Sequence, residues 1–557
     1  MCANGRRLPV VLPAPTTYAP GSSPMPEFYA PVPFYRTIRF WEGAAFWLLL
    51  TLHLLPLCSG RYFPTADGPT HLYNAWLWKT MLLQPAHPAH QVLAFNPNPE
   101  PNYLSHLLLA GCLTLVPPWV AEKLLLALYV AGLPLALRYA LRKGGLPSAG
   151  WLAVLGFPFV YSVVLVWGFY NFCLGLILLL VVWGYWQQHT GRWQPTTLAG
   201  LAGLLTLLYM AHPMTYLVSG LVLGLLAVIA NRAQPPRLLT ELGVLLLTHL
   251  PTLLLLAWYA AHKGTSTGQP ALAYGTNLWE WFRLDPIHYS GSAEGTYRWL
   301  VAILLTMGLA ACCGQVLRRR VAGWPFLPWA LGTLLLLGAC IAMPDAIAGG
   351  SITRPRWGLL SYLTLLLGLA AGPWSTRWRT VGLGIGTLVA ALLLGFRVSR
   401  FRAFQAGVAE YQSLAPHLRP GTSILPIPYD TQNRLPDALA IDSYIPALSE
   451  AVNYLAVEYQ LLSYENYEAS TSYFPLVWRP EKTPLLPAAQ RPARLAPFLY
   501  EPAQLPTYVL LQGRLSATSP NKSNALLITN YLTRFNYKLR YRSPNSLLEL
   551  YERPPSR

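Results

Sequence analysis

The chain has 557 residues, of which 54% are hydrophobic and only 11% charged, and its formal net charge is +18. Its apolar runs reach the roughly 20 residues that cross a bilayer. This excludes a soluble globular protein and predicts an all-α polytopic membrane protein surrounded by lipids. Much of the Lys and Arg of the apolar part falls in short connections, as the positive-inside rule requires, and no nucleic-acid-binding motif occurs. We therefore expect no nucleic-acid partner.

Residues 1–39 are rich in Pro and Arg and contain no apolar core, which predicts a disordered cytoplasmic tail rather than a signal peptide. Beyond this tail, basic and weakly charged connections alternate and predict about eleven transmembrane helices within residues 40–397. The predicted spans are 40–58, 120–138, 150–166, 169–187, 197–211, 214–230, 241–261, 297–317, 324–343, 357–373 and 380–397. An odd number of crossings from a cytosolic start places the end of the chain outside.

The first outer loop is predicted at residues 59–119 and contains two candidate interfacial helices. Residues 71–83 mix Trp, Tyr and a single Lys, as helices at a membrane surface do. Residues 103–116 form the shortest apolar stretch and end at two prolines. Counting 103–116 as a span would place the basic connection at Arg138 outside, so we interpret it as a helix in the interface.

Residues 398–557 differ in composition from the rest of the chain. They contain twelve of the 22 acidic residues, many Pro and Tyr, and strand-like runs such as Ser423-Ile-Leu-Pro-Ile, Tyr508-Val-Leu-Leu-Gln and Ser546-Leu-Leu-Glu-Leu-Tyr. These runs predict a small α/β domain, which the topology places on the extracytoplasmic side.

Asp67 stands out because acidic residues are scarce before residue 398 and because it lies in the first outer loop. A carboxylate beside a bilayer is costly unless it has a partner or a task. Two interpretations remain open: Asp67 is a catalytic residue, or it is only the N-cap of the helix that carries His71. The spacing of four residues places Asp67 and His71 on one helix face, which also makes them a candidate divalent-metal pair, for Mg²⁺ or Mn²⁺.

Further polar residues fall at outer connections and are predicted, with His71, to bind substrate. They are Asn171, His212, Lys263, Arg354 and Arg356. The two arginines are the candidate phosphate clamp, because Arg binds phosphate oxygens bidentately and remains charged. Structural roles stay open: Asn171 can satisfy backbone groups at the end of a span, and His212 can stabilise a kink. The arginines can equally contact lipid headgroups.

The layout resembles the GT-C superfamily of polytopic glycosyltransferases, in particular the protein O-mannosyltransferases and lipid A aminoarabinose transferases. The resemblance rests on the first outer loop with Asp67, on its interfacial helices, and on Asn102-Tyr-Leu-Ser-His106 leading through Pro117-Pro118 into the second span. It implies a polyprenyl-phosphate sugar donor and a role for Asp67 as general base or metal-site residue. Two motifs differ: Gly68 stands where the superfamily often has Glu after the Asp, and Trp-Trp-Asp is absent.

Together these observations predict a membrane glycosyltransferase that moves a sugar from a polyprenyl-phosphate donor to a lipid, glycan or protein acceptor at the outer face. A multi-pass protein of a bacterial inner or plasma membrane is the expected setting. A transporter or flippase and a non-catalytic membrane scaffold remain the alternatives. No Walker loop, zincin motif or nucleophile elbow favours another class of enzyme.

Overall fold

The computed structural model describes residues 37–63, 65–144, 147–262, 274–318, 325–347, 350–372, 374–428, 445–464, 466–471, 474–479, 505–512 and 522–554. The helices are α1 Ile38–Leu54, α2 Gly68–Leu83, α3 Leu104–Cys112, α4 Pro118–Lys143, α5 Val163–Val166, α6 Tyr170–His189, α7 Pro195–Ala211, α8 Pro213–Asn231, α9 Pro235–His262, α10 Tyr274–Phe282, α11 Glu294–Leu317, α12 Leu327–Ala342, α13 Thr353–Leu369, α14 Thr376–Gln412, α15 Val452–Glu458 and α16 Lys522–Arg534. The strands are β1 Leu93–Phe95, β2 Ala346–Ile347, β3 Gly350–Ser351, β4 Ser423–Pro428, β5 Leu462–Ser463, β6 Leu476–Trp478, β7 Tyr508–Gln512, β8 Lys538–Arg542 and β9 Leu548–Glu552.

Within these ranges, seven helices are long and apolar enough to cross a membrane. They are Ile38–Cys58, Pro118–Lys143, Tyr170–His189, Pro213–Asn231, Pro235–His262, Glu294–Leu317 and Thr376–His417. Each coincides with a predicted span. Three other predicted spans correspond to shorter helices, namely α7, α12 and α13. The structure therefore has helices at these predicted positions, and seven of them meet the length of a full crossing.

The predicted span at 150–166 is not one regular helix. A 3₁₀ helix runs from Pro147 to Phe159, and the short α5 follows after a break at Ser162. Pro158 has no backbone N–H to continue the helical hydrogen bonding, which favours such a break. The side chains from Trp151 to Val166 are buried in the protein core against α4 and α14, so the irregular backbone is not exposed to lipid.

Helix α14 crosses the predicted domain boundary between residues 397 and 398. It has 37 residues and continues through that boundary to Gln412. At about 1.5 Å per residue it is longer than the roughly 30 Å of a bilayer core, so part of it extends beyond the membrane. The apolar part and the C-terminal part of the chain are thus joined by one continuous helix.

The C-terminal region contains a five-stranded sheet with strand order β5-β4-β7-β9-β8. The first three strands are parallel and the last two antiparallel to their neighbours. The predicted runs at Ser423, Tyr508 and Ser546 correspond to β4, β7 and β9, which confirms a small C-terminal sheet region. One face packs against α16, where Ile528 and Tyr531 are buried with side chains of β4 and β7.

The C-terminal region also covers the loop at residues 59–119, which is the predicted first outer loop. Strand β1 of that loop pairs antiparallel with β6, and α15 packs on α2. Reciprocal amide hydrogen bonds of 2.8 and 2.9 Å join Asn74 of α2 to Asn466. Helices thus occur at both predicted interfacial positions, but α2 lies largely under protein, with most of its side chains buried. This contact brings distant parts of the sequence together around Asp67.

Candidate active site

Asp67 occupies the N-cap position of α2, but its side chain makes no capping hydrogen bond. Its backbone carbonyl accepts hydrogen bonds from the N–H groups of Thr70 and His71, while its carboxylate accepts one from the Tyr467 side chain. The residue is partly exposed, whereas its neighbours in α2 are buried. The capping interpretation therefore accounts for the position of Asp67 in the helix but not for the direction of its carboxylate.

Two glycines fix the backbone at Asp67 by close contact. A Cβ atom on Gly68 would lie 2.0 Å from Oγ1 of Thr65 and 2.1 Å from the Tyr170 hydroxyl, and one on Gly168 would lie 2.5 Å from the Gly68 nitrogen. Gly168 also has a φ of 86°, which disfavours a side chain. Position 68 therefore has no room for a glutamate side chain.

A buried cluster of two histidines and one glutamate lies beside Asp67. Nε2 of His106 is 2.8 Å from Oε2 of Glu468, and Nδ1 of His71 is 2.5 Å from Oε1 of the same carboxylate. The two ring nitrogens are 3.4 Å apart. The side chains come from α2, α3 and the segment before β6, so the cluster exists only because the C-terminal region covers the first outer loop.

Charge and burial act in opposite directions in this cluster. Burial raises the pKa of Asp67 to about 6, although the His71 charge opposes the shift. Burial by itself would also raise the pKa of Glu468, but the charges of His106 and His71 lower it to about 2. For His71, burial would lower the pKa, yet Glu468 and Asp67 outweigh it and raise the value. Glu468 is thus an ionised carboxylate at neutral pH.

Arg356, in the first turn of α13, is a buried cation of the membrane helices. It acts electrostatically on Asp67 and lies over the Phe169 ring at 4.1 Å. Its Nη1 is 3.4 Å from Nε2 of His212. Burial and the Arg356 charge lower the pKa of His212 well below its usual value, so this imidazole is neutral.

The tautomer of His212 follows from its role at the start of α8. Nδ1 accepts a hydrogen bond of 3.2 Å from the Met214 N–H, so the single proton of the neutral ring is assigned to Nε2. The Nε2–H of His212 and the N–H groups of Arg356 are then neighbouring donors. A phosphate oxygen is the type of acceptor that two such donors bind. This geometry supports the prediction that His212 and Arg356 contact a substrate phosphate, which stays a prediction.

The other predicted substrate residues have different surroundings. Asn171 accepts a hydrogen bond from the Ser105 N–H at 2.7 Å and donates to the Asn102 carbonyl at 2.5 Å. These contacts match its structural interpretation, because both partners are backbone groups at the start of α3. Lys263 lies outside the described residues.

Arg354, the other arginine predicted to clamp a phosphate, has a different partner. It forms an ion pair of 3.2 Å with Glu280 of α10, whereas Arg356 is directed toward His212. Successive helical positions are about 100° apart, so residues i and i+2 point in widely different directions. Of the two arginines, Arg356 is the one whose charge acts on Asp67, and the two-arginine clamp stays a prediction.

The predicted metal pair is also changed by the structure. Among the described residues, the potential ligand atoms that all lie within 4.8 Å of one another belong to His71, His106 and Glu468, without Asp67. Sequence reasoning missed His106, although it ends the Asn102–His106 motif, and missed both Tyr467 and Glu468. Only the histidine had a signal in the sequence, because its motif had already been singled out.

Comparison with known proteins gives a structural likeness and no sequence match. No family model matches the chain, and no curated protein matches it. Among solved structures, arabinofuranosyltransferase AftD from Mycobacteria aligns with 93% of this chain at a TM-score of 0.48 and 14% identity. The chain spans 40% of the length of AftD. ArnT from Cupriavidus metallidurans, bound to undecaprenyl phosphate, aligns over 93% of this chain and 99% of its own at a TM-score of 0.49 and 12% identity.

With TM-scores below 0.5, this likeness decides neither the activity nor the substrate of the chain. The apolar helices do establish an integral membrane protein.

Proposed function

We propose that this protein is a membrane glycosyltransferase that moves a sugar from a polyprenyl-phosphate-linked donor to a hydroxyl group of a lipid, glycan or protein at the outer face. The observation that carries the proposal is Asp67, a partly exposed residue between buried neighbours, with the buried cation Arg356 acting on its carboxylate. A base and a cationic donor at one site are the two groups that this transfer needs.

In the proposed reaction the acceptor oxygen attacks the anomeric carbon, and its proton passes to the Asp67 carboxylate. The bond from that carbon to the phosphate oxygen breaks, so the polyprenyl phosphate leaves with one more negative charge. The Nε2–H of His212 and the guanidinium of Arg356 would stabilise that charge as it develops. Tyr467 orients the base through its hydrogen bond to the carboxylate.

The donor class follows from the chemistry of the site and from its setting. A cationic group next to the first turn of a helix favours an anion such as phosphate, and the surrounding helices favour a lipid carrier. Undecaprenyl phosphate, which the ArnT structure contains, is the first lipid to test.

The direct test is sugar transfer in nanodiscs with a panel of radiolabelled polyprenyl-phosphate sugars. We expect Asp67→Asn to lower the rate by roughly 10²- to 10⁴-fold, since this is the typical contribution of a general base. Asp345→Asn is the matched control. Asp345 is an exposed acid of another connection, and its carboxylate only accepts the Arg354 N–H at 3.0 Å, which an amide oxygen can also do.

Equal rates in the native protein and Asp67→Asn would contradict the role of this residue. Failure of the folded native protein to release polyprenyl phosphate from any donor would contradict the transferase and favour a transporter or a scaffold. The outer-face position is tested separately, by fusing reporters active only outside or only inside the cell to the C-terminus. Activity of the inside reporter would contradict the proposed topology.

A further inference from the structure

Hydrogen bonds account for only part of the geometry of the cluster formed by His71, His106 and Glu468. Oε1 of Glu468 is 2.5 Å from Nδ1 of His71, yet it is among the buried atoms that have no aligned hydrogen-bond partner in the described part of the chain. Both histidines converge on this one carboxylate, and one potential ligand atom from each of the three side chains lies within 4.8 Å of the others.

The spacing of the three atoms is compatible with a metal ion. In a tetrahedral zinc site with Zn–N bonds of about 2.0–2.1 Å, neighbouring ligand atoms are roughly 3.3 Å apart. The two ring nitrogens of the cluster are already 3.4 Å apart. The two N···O separations are shorter, at 2.5 Å from Nδ1 of His71 to Oε1 and 2.8 Å from Nε2 of His106 to Oε2, so the carboxylate would have to shift by roughly 1 Å to place one oxygen as a ligand.

The ligand types select among metals. Two imidazoles and one carboxylate suit Zn²⁺ or a similar transition ion, whereas Mg²⁺ prefers oxygen ligands and keeps several waters. The side chains of Glu468 and His106 are completely buried and that of His71 is 5% exposed, which leaves little room for such waters. This set therefore argues against the Mg²⁺ or Mn²⁺ expected from the sequence.

The surroundings supply an orienting contact of the kind found at metal sites. His71 also hydrogen-bonds to the backbone of Gly168, and a metal-bound histidine commonly donates its second ring N–H to a backbone carbonyl. Gly168 is itself held against the backbone of Asp67 and Gly68. One histidine of the cluster is thus fixed in orientation by the part of the fold that fixes Asp67.

We propose that His71, His106 and Glu468 bind one Zn²⁺ ion, which fastens the C-terminal segment around Glu468 to the first outer loop. The ion would join α2 and α3 to the residue that directly follows Tyr467, and Tyr467 donates to Asp67. The site does not depend on the proposed transfer reaction, because metal content can be measured without any substrate.

The alternative is a buried triad in which both histidines share protons with Glu468 and no metal binds. To separate the two, the full-length protein is purified in detergent, depleted with a chelator, incubated with Zn²⁺ or Mg²⁺, and desalted. We expect about one zinc per chain by mass spectrometry of the metal content, a higher Tm with Zn²⁺, and no change with Mg²⁺.

Glu468→Gln and His106→Gln should reduce the bound zinc to background. His90→Gln is the matched control, because His90 lies in the same loop outside the cluster and its Nε2 contacts the Met81 carbonyl at 3.0 Å. X-ray absorption at the zinc edge of the native protein gives a result that needs no variant. Two imidazoles, an oxygen and no sulfur are expected around the ion.

A native protein that retains no zinc overturns the proposal, as do sulfur ligands or equal zinc retention in both cluster variants. The result of the zinc measurements is independent of the result of the sugar-transfer assay. Zinc binding without transfer would remove the proposed function and leave the metal site, whereas transfer by a zinc-free protein would do the reverse.

Discussion

Two buried acid–base clusters lie in different parts of this molecule and differ in how completely their atoms are hydrogen-bonded. In the first, Arg397 of α14 donates from Nε to Glu294, from Nη1 to the Pro158 carbonyl and from Nη2 to the Ile287 carbonyl. Oε2 of Glu294 accepts the backbone N–H groups of Tyr289 and Ser290. Each of the three guanidinium nitrogens thus donates to a neighbouring element.

The second cluster, around Glu468, is just as buried but is not saturated. Nδ1 of His106 and Oε1 of Glu468 lack aligned partners among the described residues, and Asp67 beside them is partly exposed. Burial of charge alone therefore does not identify a functional site. A saturated cluster holds elements together, whereas convergent atoms with unused directions can bind something else.

Arg397→Met should have the largest effect, because it leaves the Glu294 carboxylate buried without its cation. We expect a loss of roughly 3–5 kcal/mol in the free energy of unfolding. Thermal unfolding in detergent would measure it. The double variant Arg397→Met with Glu294→Leu should be less destabilised than the single variant, since neither charge is then left alone. A single variant as stable as the native protein would contradict a structural role for this cluster.

Arg356→Gln should affect transfer rather than folding. Removing one charged donor from a developing phosphate charge typically costs about 10²- to 10³-fold in rate. The measurement is the initial rate of polyprenyl phosphate release at saturating donor, with unfolding temperature as the folding control. Arg354→Gln, two residues earlier in the same helix, is the matched variant. An equal loss of transfer in both variants would contradict a role that is specific to Arg356.

Gly68→Ala tests the close contact beneath Asp67. The new Cβ atom would meet Thr65 and Tyr170 at about 2 Å, so we expect a destabilisation of roughly 1–3 kcal/mol together with slower transfer. Gly111→Ala in α3 is the control, because no atom lies within 4 Å of its would-be Cβ. If Gly68→Ala left both the unfolding temperature and the transfer rate unchanged, the close contact would not constrain the backbone at Asp67.

Arg354→Gln should have the smallest effect. The ion pair with Glu280 is partly exposed, with side-chain exposures of 27% and 29%, and such pairs contribute about 0–1 kcal/mol. Thermal unfolding at low and high salt is the measurement, and any small difference should shrink with salt. A loss of transfer in this variant with folding intact would support the predicted two-arginine clamp.

Most of the apolar fold was predictable because hydrophobic run length and loop charge act locally along the chain. Helices α4, α7 and α8 begin at Pro118, Pro195 and Pro213, because proline is favoured in the first turn of a helix. The irregular segment at 150–166 was not predictable from hydropathy, because a buried non-helical run and a spanning helix have the same composition.

The site was only partly predictable, for a geometric reason. Asp67, His71 and Arg356 sit at the ends of apolar segments, where topology rules place them on one face. Glu468 lies 362 residues from its partner His106, and no local pattern reports a contact of that separation. The scarcity of acids, which drew attention to Asp67, applied equally to the structural Glu294.

The pairing of first-loop residues with Glu468 has a consequence for the biogenesis of the protein. A ribosome that adds roughly 5–20 residues per second needs about 20–70 s to make the 362 residues between His106 and Glu468. During that time all the intervening helices are synthesised while the first loop lacks its cover. We therefore expect every chain that stops before residue 468 to be inactive, so that the site forms only on nascent chains that are almost complete.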